Sequence, residues 1–375
     1  MPFVARRLWK QGFRFNLVEI QPADAVIARI GNAVRPVARV LGLCLACGDP
    51  TGASGGVVER RVRPSETNPA ISAWDADHYV WLNTSAAAAA DRQLLVLLPG
   101  TGGAPRAFRL MGAIAAEQGY LAIGLMYPDD LAILQACTDE QDLTCMADMR
   151  SEIIEGADRS PYVNVDFDNS IDGRLAALLR HLAARYPAEG WSRFLSGDAP
   201  RWSAIAVGGL SQGGGHAAFI ATRRPVPRVV MFGAPADGFQ GRPAPWMAVG
   251  ATPASRYFGL VHARDGFASI VPNWLALGLD AFGPLTLVEE SAPPFEGAHM
   301  LTTDLLPATG SYGAAHASVF SDGATPRGTD GAPALEPAWR YLLGRPSGDP
   351  DAGPGPGPGP SRSRNTPRRG AGGDR

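Results

Sequence analysis

The chain has 375 residues, 45% of them apolar and 19% charged, with a formal net charge of -2. That is a globular composition, long enough for one large core or two modest domains. The near-neutral balance argues against nucleic acid or an acidic membrane surface as the main partner.

The first fifty-odd residues do not read as part of the core. Arg35 and Arg39 precede the apolar run 40–47, an order that resembles the basic and apolar regions of an export signal. Leu45, Ala46 and Cys47 are similar to a lipoprotein cleavage site, with Cys44 where Leu or Val is usual. This reading needs a start downstream of Met1, and the competing reading is an ordinary buried helix. With it go a possible lipid anchor and an extracytoplasmic location (periplasmic, secreted or anchored), slightly favoured over the cytoplasm. Cys44 and Cys47 have no histidines at zinc-site spacing. No apolar stretch reaches the roughly 18 to 20 residues of a membrane span.

From about residue 55, short apolar runs alternate with helical patterns. Strands are expected at 79–83, 93–98, 120–127, 203–208, 228–232, 257–262 and 299–305. Several are apolar on both faces, as strands of a covered parallel sheet should be. A helix is expected after Asn169 and Ser170, where Ile171, Leu175, Leu178, Leu179 and Leu182 recur on one face. This alternation predicts an α/β class: a mostly parallel central sheet with helices on both faces, whose ligand sites lie beyond the strands' carboxyl ends. The excursion 129–165 follows the strand at 120–127, is longer than an ordinary loop, and reads as an insertion. It carries Cys137 and Cys145, placed to close as a disulfide around a short polar loop. Beyond residue 344 the Gly-Pro repeats and the Arg-, Ser- and Gly-rich tail cannot bury apolar surface and should stay disordered. The chain thus divides into an extension (1–54), a folded body (55–344) and a tail (345–375).

The strongest motif follows the strand at 203–208. Gly209, Ser211 and Gly213 form a G-x-S-x-G run between an apolar strand and a small-residue helix, the setting a nucleophile elbow needs. A sharp turn there exposes the serine hydroxyl at a helix N-terminus, where the amide of Gln212 can donate to a developing oxyanion. The competing reading is a plain glycine turn or a phosphate loop, but neither P-loop nor dinucleotide spacing is present.

Through these residues the chain resembles the α/β-hydrolase superfamily, specifically its bacterial esterase and lipase-like members, over roughly 94–319. The resemblance implies the α/β-hydrolase fold, with the insertion after its fourth strand, and a serine hydrolase without cofactor. The run 94–103 is a strand entering a glycine-rich turn. In the family that turn often reads His-Gly-x-x-Gly; here Pro99 stands at the histidine's place, and Thr101 falls where the second oxyanion donor is expected. The family's chain order is Ser, acid, His. Asp265, after the strand at 257–262, is the expected acid, with Asp237 as competitor and Asp304 and Asp322 behind it. His316, in a loop after the last expected strand, is the expected base, with His299 as competitor. His216 and His262 read as packing or hydrogen-bonding residues, and His78 and His181 lie upstream with no motif. The implied activity is carboxylic ester hydrolysis on a small-molecule or lipid ester; an acyltransferase, a peptidase or a non-catalytic binding protein would share the fold.

Overall fold

A computed structural model of the chain describes residues 56–85, 92–248 and 250–344. The expected signal-like extension (1–54), with Cys44 and Cys47, and the expected disordered tail (345–375) lie outside the described residues. Within them, nine strands build one sheet: β1 (Val57–Val62), β2 (His78–Asn83), β3 (Leu94–Leu98), β4 (Leu121–Gly124), β5 (Ile205–Leu210), β6 (Val229–Phe232), β7 (Tyr257–His262), β8 (Thr286–Leu287) and β9 (Met300–Thr303). The spatial order is β1-β2-β4-β3-β5-β6-β7-β9-β8. Only β2 runs against its neighbours; the pairings from β4 across to β8 are all parallel. Among the described residues, the α-helices longer than a single turn are α1 (Arg109–Glu117), α2 (Cys145–Glu155), α3 (Ile171–Arg185), α4 (Gln212–Arg223), α5 (Ile270–Ala276) and α6 (Glu336–Leu343).

Alternation along the strands assigns each side chain to one of two cores. Leu94, Val96 and Leu98 of β3 pack with Ile205 and Val207 of β5 beneath α2, α3, α4 and α5. Leu95 and Leu97 instead join Ala206, Val230, Phe258 and Leu260 beneath α1 and α6. Both faces are therefore buried, which is why these runs are apolar without a period-two break. The expected helix begins at Ser170, whose hydroxyl accepts the Gly173 N–H at 3.1 Å.

Two strands have no counterpart in the expected set. β1, reading Val-Val-Glu-Arg-Arg-Val, carries three charged residues because its edge position leaves one flank open. β8 is two residues long, too short for any periodicity. The insertion holds real structure: a single helical turn (Ile133–Ala136), the Cys137–Cys145 disulfide and then α2. After α2 the chain reverses at Gly156, and the Glu152 carboxylate gathers the amides of Arg159, Ser160 and Val165 at 2.9, 2.8 and 3.1 Å. Among the described residues no helix is long and apolar enough to cross a membrane.

Candidate active site

Ser211 sits between β5 and α4 with φ 53° and ψ -121°, a conformation few L-residues adopt. It is fixed from both sides: its N–H donates to Phe232 O at 2.9 Å, and its carbonyl accepts the first helical bond from Gly215 at 2.9 Å. The flanking glycines are required by space. A Cβ on Gly209 would lie 2.5 Å from Leu98 O, and one on Gly213 would lie 2.3 Å from the same oxygen. The strained serine is thus pressed against the end of β3, where the glycine-rich turn begins.

That turn brings Thr101 beside Gln212. The Thr101 hydroxyl donates to Gln212 Oε1 at 3.1 Å. Gly102 N–H donates to Asp129 O at 2.8 Å and Gly103 N–H to Gly100 O at 2.8 Å, so the turn is anchored around Thr101. A Cβ on Gly100 would lie 3.1 Å from Ser211 Cβ, so the turn passes directly by the serine.

Asp265 and His316, 51 residues apart, meet with Oδ2 2.8 Å from Nδ1. The Asp265 side chain is 3% exposed and that of His316 26%. A carboxylate beside Nδ1 keeps the proton on that nitrogen, which leaves Nε2 as the ring's free lone pair; Nε2 is buried and has no protein partner. Asp265 Oδ1 accepts the Phe267 N–H at 3.0 Å, and the Phe267 ring stands edge-on to His316 with centroids 4.9 Å apart. Gly233, at φ 55°, connects this pair to the serine. A Cβ there would fall 2.9 Å from His316 Cε1 and 3.3 Å from Asp265 Oδ2. Its neighbour Phe232 supplies the carbonyl that holds Ser211. The carboxyl ends of β5, β6 and β7 thereby bring Ser211, Gly233 and Asp265 side by side, as neighbouring parallel strands must.

The competing residues are engaged elsewhere. Asp237 forms a buried pair with Arg150, whose Nε and Nη2 donate to its two oxygens at 2.7 and 2.5 Å. Trp246 Nε1 also donates to Asp237, at 3.0 Å. Asp304 pairs with Arg264 at the surface. Asp322 accepts the Arg109 and Leu110 amides at the head of α1; burial pushes its carboxyl up to about 6 against those donors. His299 is 2% exposed between Phe258 and Phe282, and burial lowers it to about 4. His216 lies against Arg150 and is held well below the ordinary imidazole value, by burial first and then by that guanidinium. His262 accepts the Arg264 N–H on Nδ1, so its Nε2–H donates to Leu305 O, both at 3.0 Å. His78 accepts the Met126 N–H and is lowered by burial to about 3. His181 lies on α3.

Arg150, Phe267 and Gly233 were not singled out from the sequence. Arg150 lies 87 residues from its carboxylate, and nothing in its helix sets it apart from a surface arginine. Phe267, two residues beyond Asp265, was within reach of the same strand-end logic. Among the described residues no three His, Cys, Asp or Glu side chains converge as a metal site. Compared with known proteins, the sequence matches no protein-family model and no curated protein.

Proposed function

We propose that the chain is a serine hydrolase of the α/β-hydrolase fold that cleaves carboxylic esters through an acyl-enzyme. The observation that carries this reading is the Asp265–His316 pair, held at 2.8 Å with Nε2 unpartnered, beside the glycine next to Ser211's backbone anchor. The strand order, with one antiparallel strand near one edge and the strained serine after the fifth strand, supports the fold assignment.

In this mechanism His316 Nε2 takes the Ser211 hydroxyl proton as Oγ attacks the ester carbonyl. Asp265 holds Nδ1–H and stabilises the imidazolium that forms. The amides of Thr101 and Gln212 donate to the oxyanion; no acceptor among the described residues competes for either. Collapse of the tetrahedral species passes the Nε2 proton to the leaving alcohol and leaves an acyl-Ser211 ester. Water then repeats the sequence, with His316 again as base, and releases the acid. Each oxyanion donor is worth roughly 100- to 1000-fold in rate, because the charge it meets exists only in the transition state.

The test is turnover of p-nitrophenyl esters of graded acyl length by wild type and by Ser211→Ala. Hydrolysis by wild type, lost by at least about 1000-fold in the alanine variant, is the expected result. A folded wild type that hydrolyses no acyl length contradicts the reading.

A further inference from the structure

The residue after Ser211 is held by more than its own helix. Gln212 is 6% exposed, and its Oε1 accepts two donors: the Thr101 hydroxyl at 3.1 Å and the Ile133 backbone N–H at 3.2 Å. The backbone donor cannot reverse its role, so it fixes which end of the amide is the oxygen. On the other side, Arg150 Nη1 donates to the Gln212 carbonyl at 3.2 Å and to His216 Nδ1 at the same distance. Arg150 is 2% exposed and is itself locked by Asp237.

Both holders belong to the insertion, and the disulfide joins them. Ile133 opens the single turn that ends at Cys137, whose N–H donates to Ile133 O at 2.8 Å. Cys145 opens α2, which carries Arg150 one and a half turns later. The bond between Cys137 and Cys145 therefore ties the donor to the Gln212 side chain to the donor to its carbonyl.

The helix has reason to need this. Its first turn continues Gly213, Gly214 and Gly215, and glycine, with the freest backbone, favours a helix less than alanine does. None has room for a side chain: Cβ atoms would meet Leu98 O at 2.3 Å, Gly209 O at 2.6 Å and Arg150 Nη2 at 2.3 Å. A turn that must be all glycine has little stiffness of its own, yet the direction of the Gln212 N–H matters, because hydrogen bonds weaken steeply as they bend.

We propose that the disulfide-closed insertion is a clamp on Gln212, with the Ile133 amide, Arg150 and the Gln212 side chain as positioning groups for the oxyanion donor. The inference rests on the hydrolase reading and adds to it residues that touch no reacting atom. Anchoring the side chain and the carbonyl of one residue fixes its α-carbon, and with it the angle at which its N–H meets the oxyanion.

The cleanest test separates the Ile133 N–H from the Ile133 side chain. Ile133→Pro deletes the donor at the first position of a helical turn, where proline is tolerated; the preceding Ala132 is already extended, as a residue before proline should be. Ile133→Val keeps the donor and trims the side chain. The clamp predicts kcat for Ile133→Pro about tenfold below Ile133→Val with KM within about twofold, a part of the full loss of an oxyanion donor. Inhibition by an alkyl boronic acid, whose tetrahedral adduct uses the same donors, weakens by the same factor. If Ile133→Pro fails to fold, Thr101→Val gives the second measurement, since it removes the other donor to Oε1 and keeps its own amide; a kcat equal to wild type then overturns the clamp. Equal kcat and boronate affinity in Ile133→Pro and Ile133→Val, with wild type active, overturn the clamp alone. A wild type without turnover overturns the hydrolase reading and the clamp with it.

Discussion

Asp237 follows β6 and Asp265 follows β7, so neighbouring parallel strands each deliver a carboxylate to the same end of the sheet. Their partners differ in kind. Asp265 meets a histidine that is a quarter exposed, a group able to gain and lose a proton. Asp237 meets a guanidinium, and the pair is sealed at 1% and 2% exposure. Strand-end placement alone does not separate a carboxylate paired with a histidine from one that holds a structural cation; the partner and its exposure do.

Asp265→Asn is the largest expected break between them. It keeps the size and reverses the hydrogen-bond preference at His316 Nδ1, so kcat should fall by about 1,000- to 10,000-fold while the melting temperature barely moves. Steady-state kinetics beside a thermal melt reads both quantities. Asp237→Asn should weigh mainly on stability, with a smaller loss of kcat through Arg150 and Gln212. It strands the Arg150 charge in the core and should cost about 3 to 5 kcal/mol in urea unfolding. Adding Arg150→Met should recover part of the stability, though not the positioning of Gln212.

A third strand-end carboxylate sharpens the contrast. Asp129, beyond β4, is 3% exposed, and its Oδ2 has no partner. Burial, reinforced by neighbouring Asp130, pushes it up to about 7. Its folded-state value therefore lies above the unfolded carboxylate value near 4. Between the two, the folded state keeps a proton that the unfolded state has released. Stability on this account falls as pH rises from about 4 to 7, and the full cost is present above 7. Asp129→Asn removes that slope. Relative to wild type it should gain on the order of 2 kcal/mol between pH 5 and pH 8, read from urea midpoints at each pH. An unchanged pH slope would show that the Asp129 carboxylate has an unseen partner.

The smallest expected effect is at Phe267. Phe267→Ala keeps the amide that caps Asp265 Oδ1 and removes the ring edge from His316. A loss of about 1 kcal/mol in kcat/KM, roughly fivefold, is the expected outcome. A change confined to stability would assign the ring to packing.

The contrast also explains what could be read from the chain and what could not. The α/β class was legible because strands such as Leu94–Leu98 and Val229–Phe232 are apolar on both faces. The serine turn was legible because the two glycines flanking Ser211, Gly209 and Gly213, answer to local sterics. Asp265 and His316 were expected from the Ser, acid, His order of the family that the chain resembles, and strand ends alone left Asp237 and His299 open. Arg150 and Asp237 were not legible as a pair, since a buried ion pair 87 residues apart leaves no periodicity. Asp322 was likewise hidden: it caps a helix 213 residues upstream, and only the tertiary path of the chain brings it there. Local patterns report backbone needs, whereas pairing across the core is decided by topology.

The most direct measurement of the central claim is labelling of purified protein with a fluorophosphonate, followed by mass mapping of the modified peptide. The account predicts one adduct, on Ser211, formed at a rate that falls sharply in His316→Ala and Asp265→Asn but persists in Asp237→Asn wherever that variant stays folded. An adduct on another residue, or none on folded wild type, contradicts it.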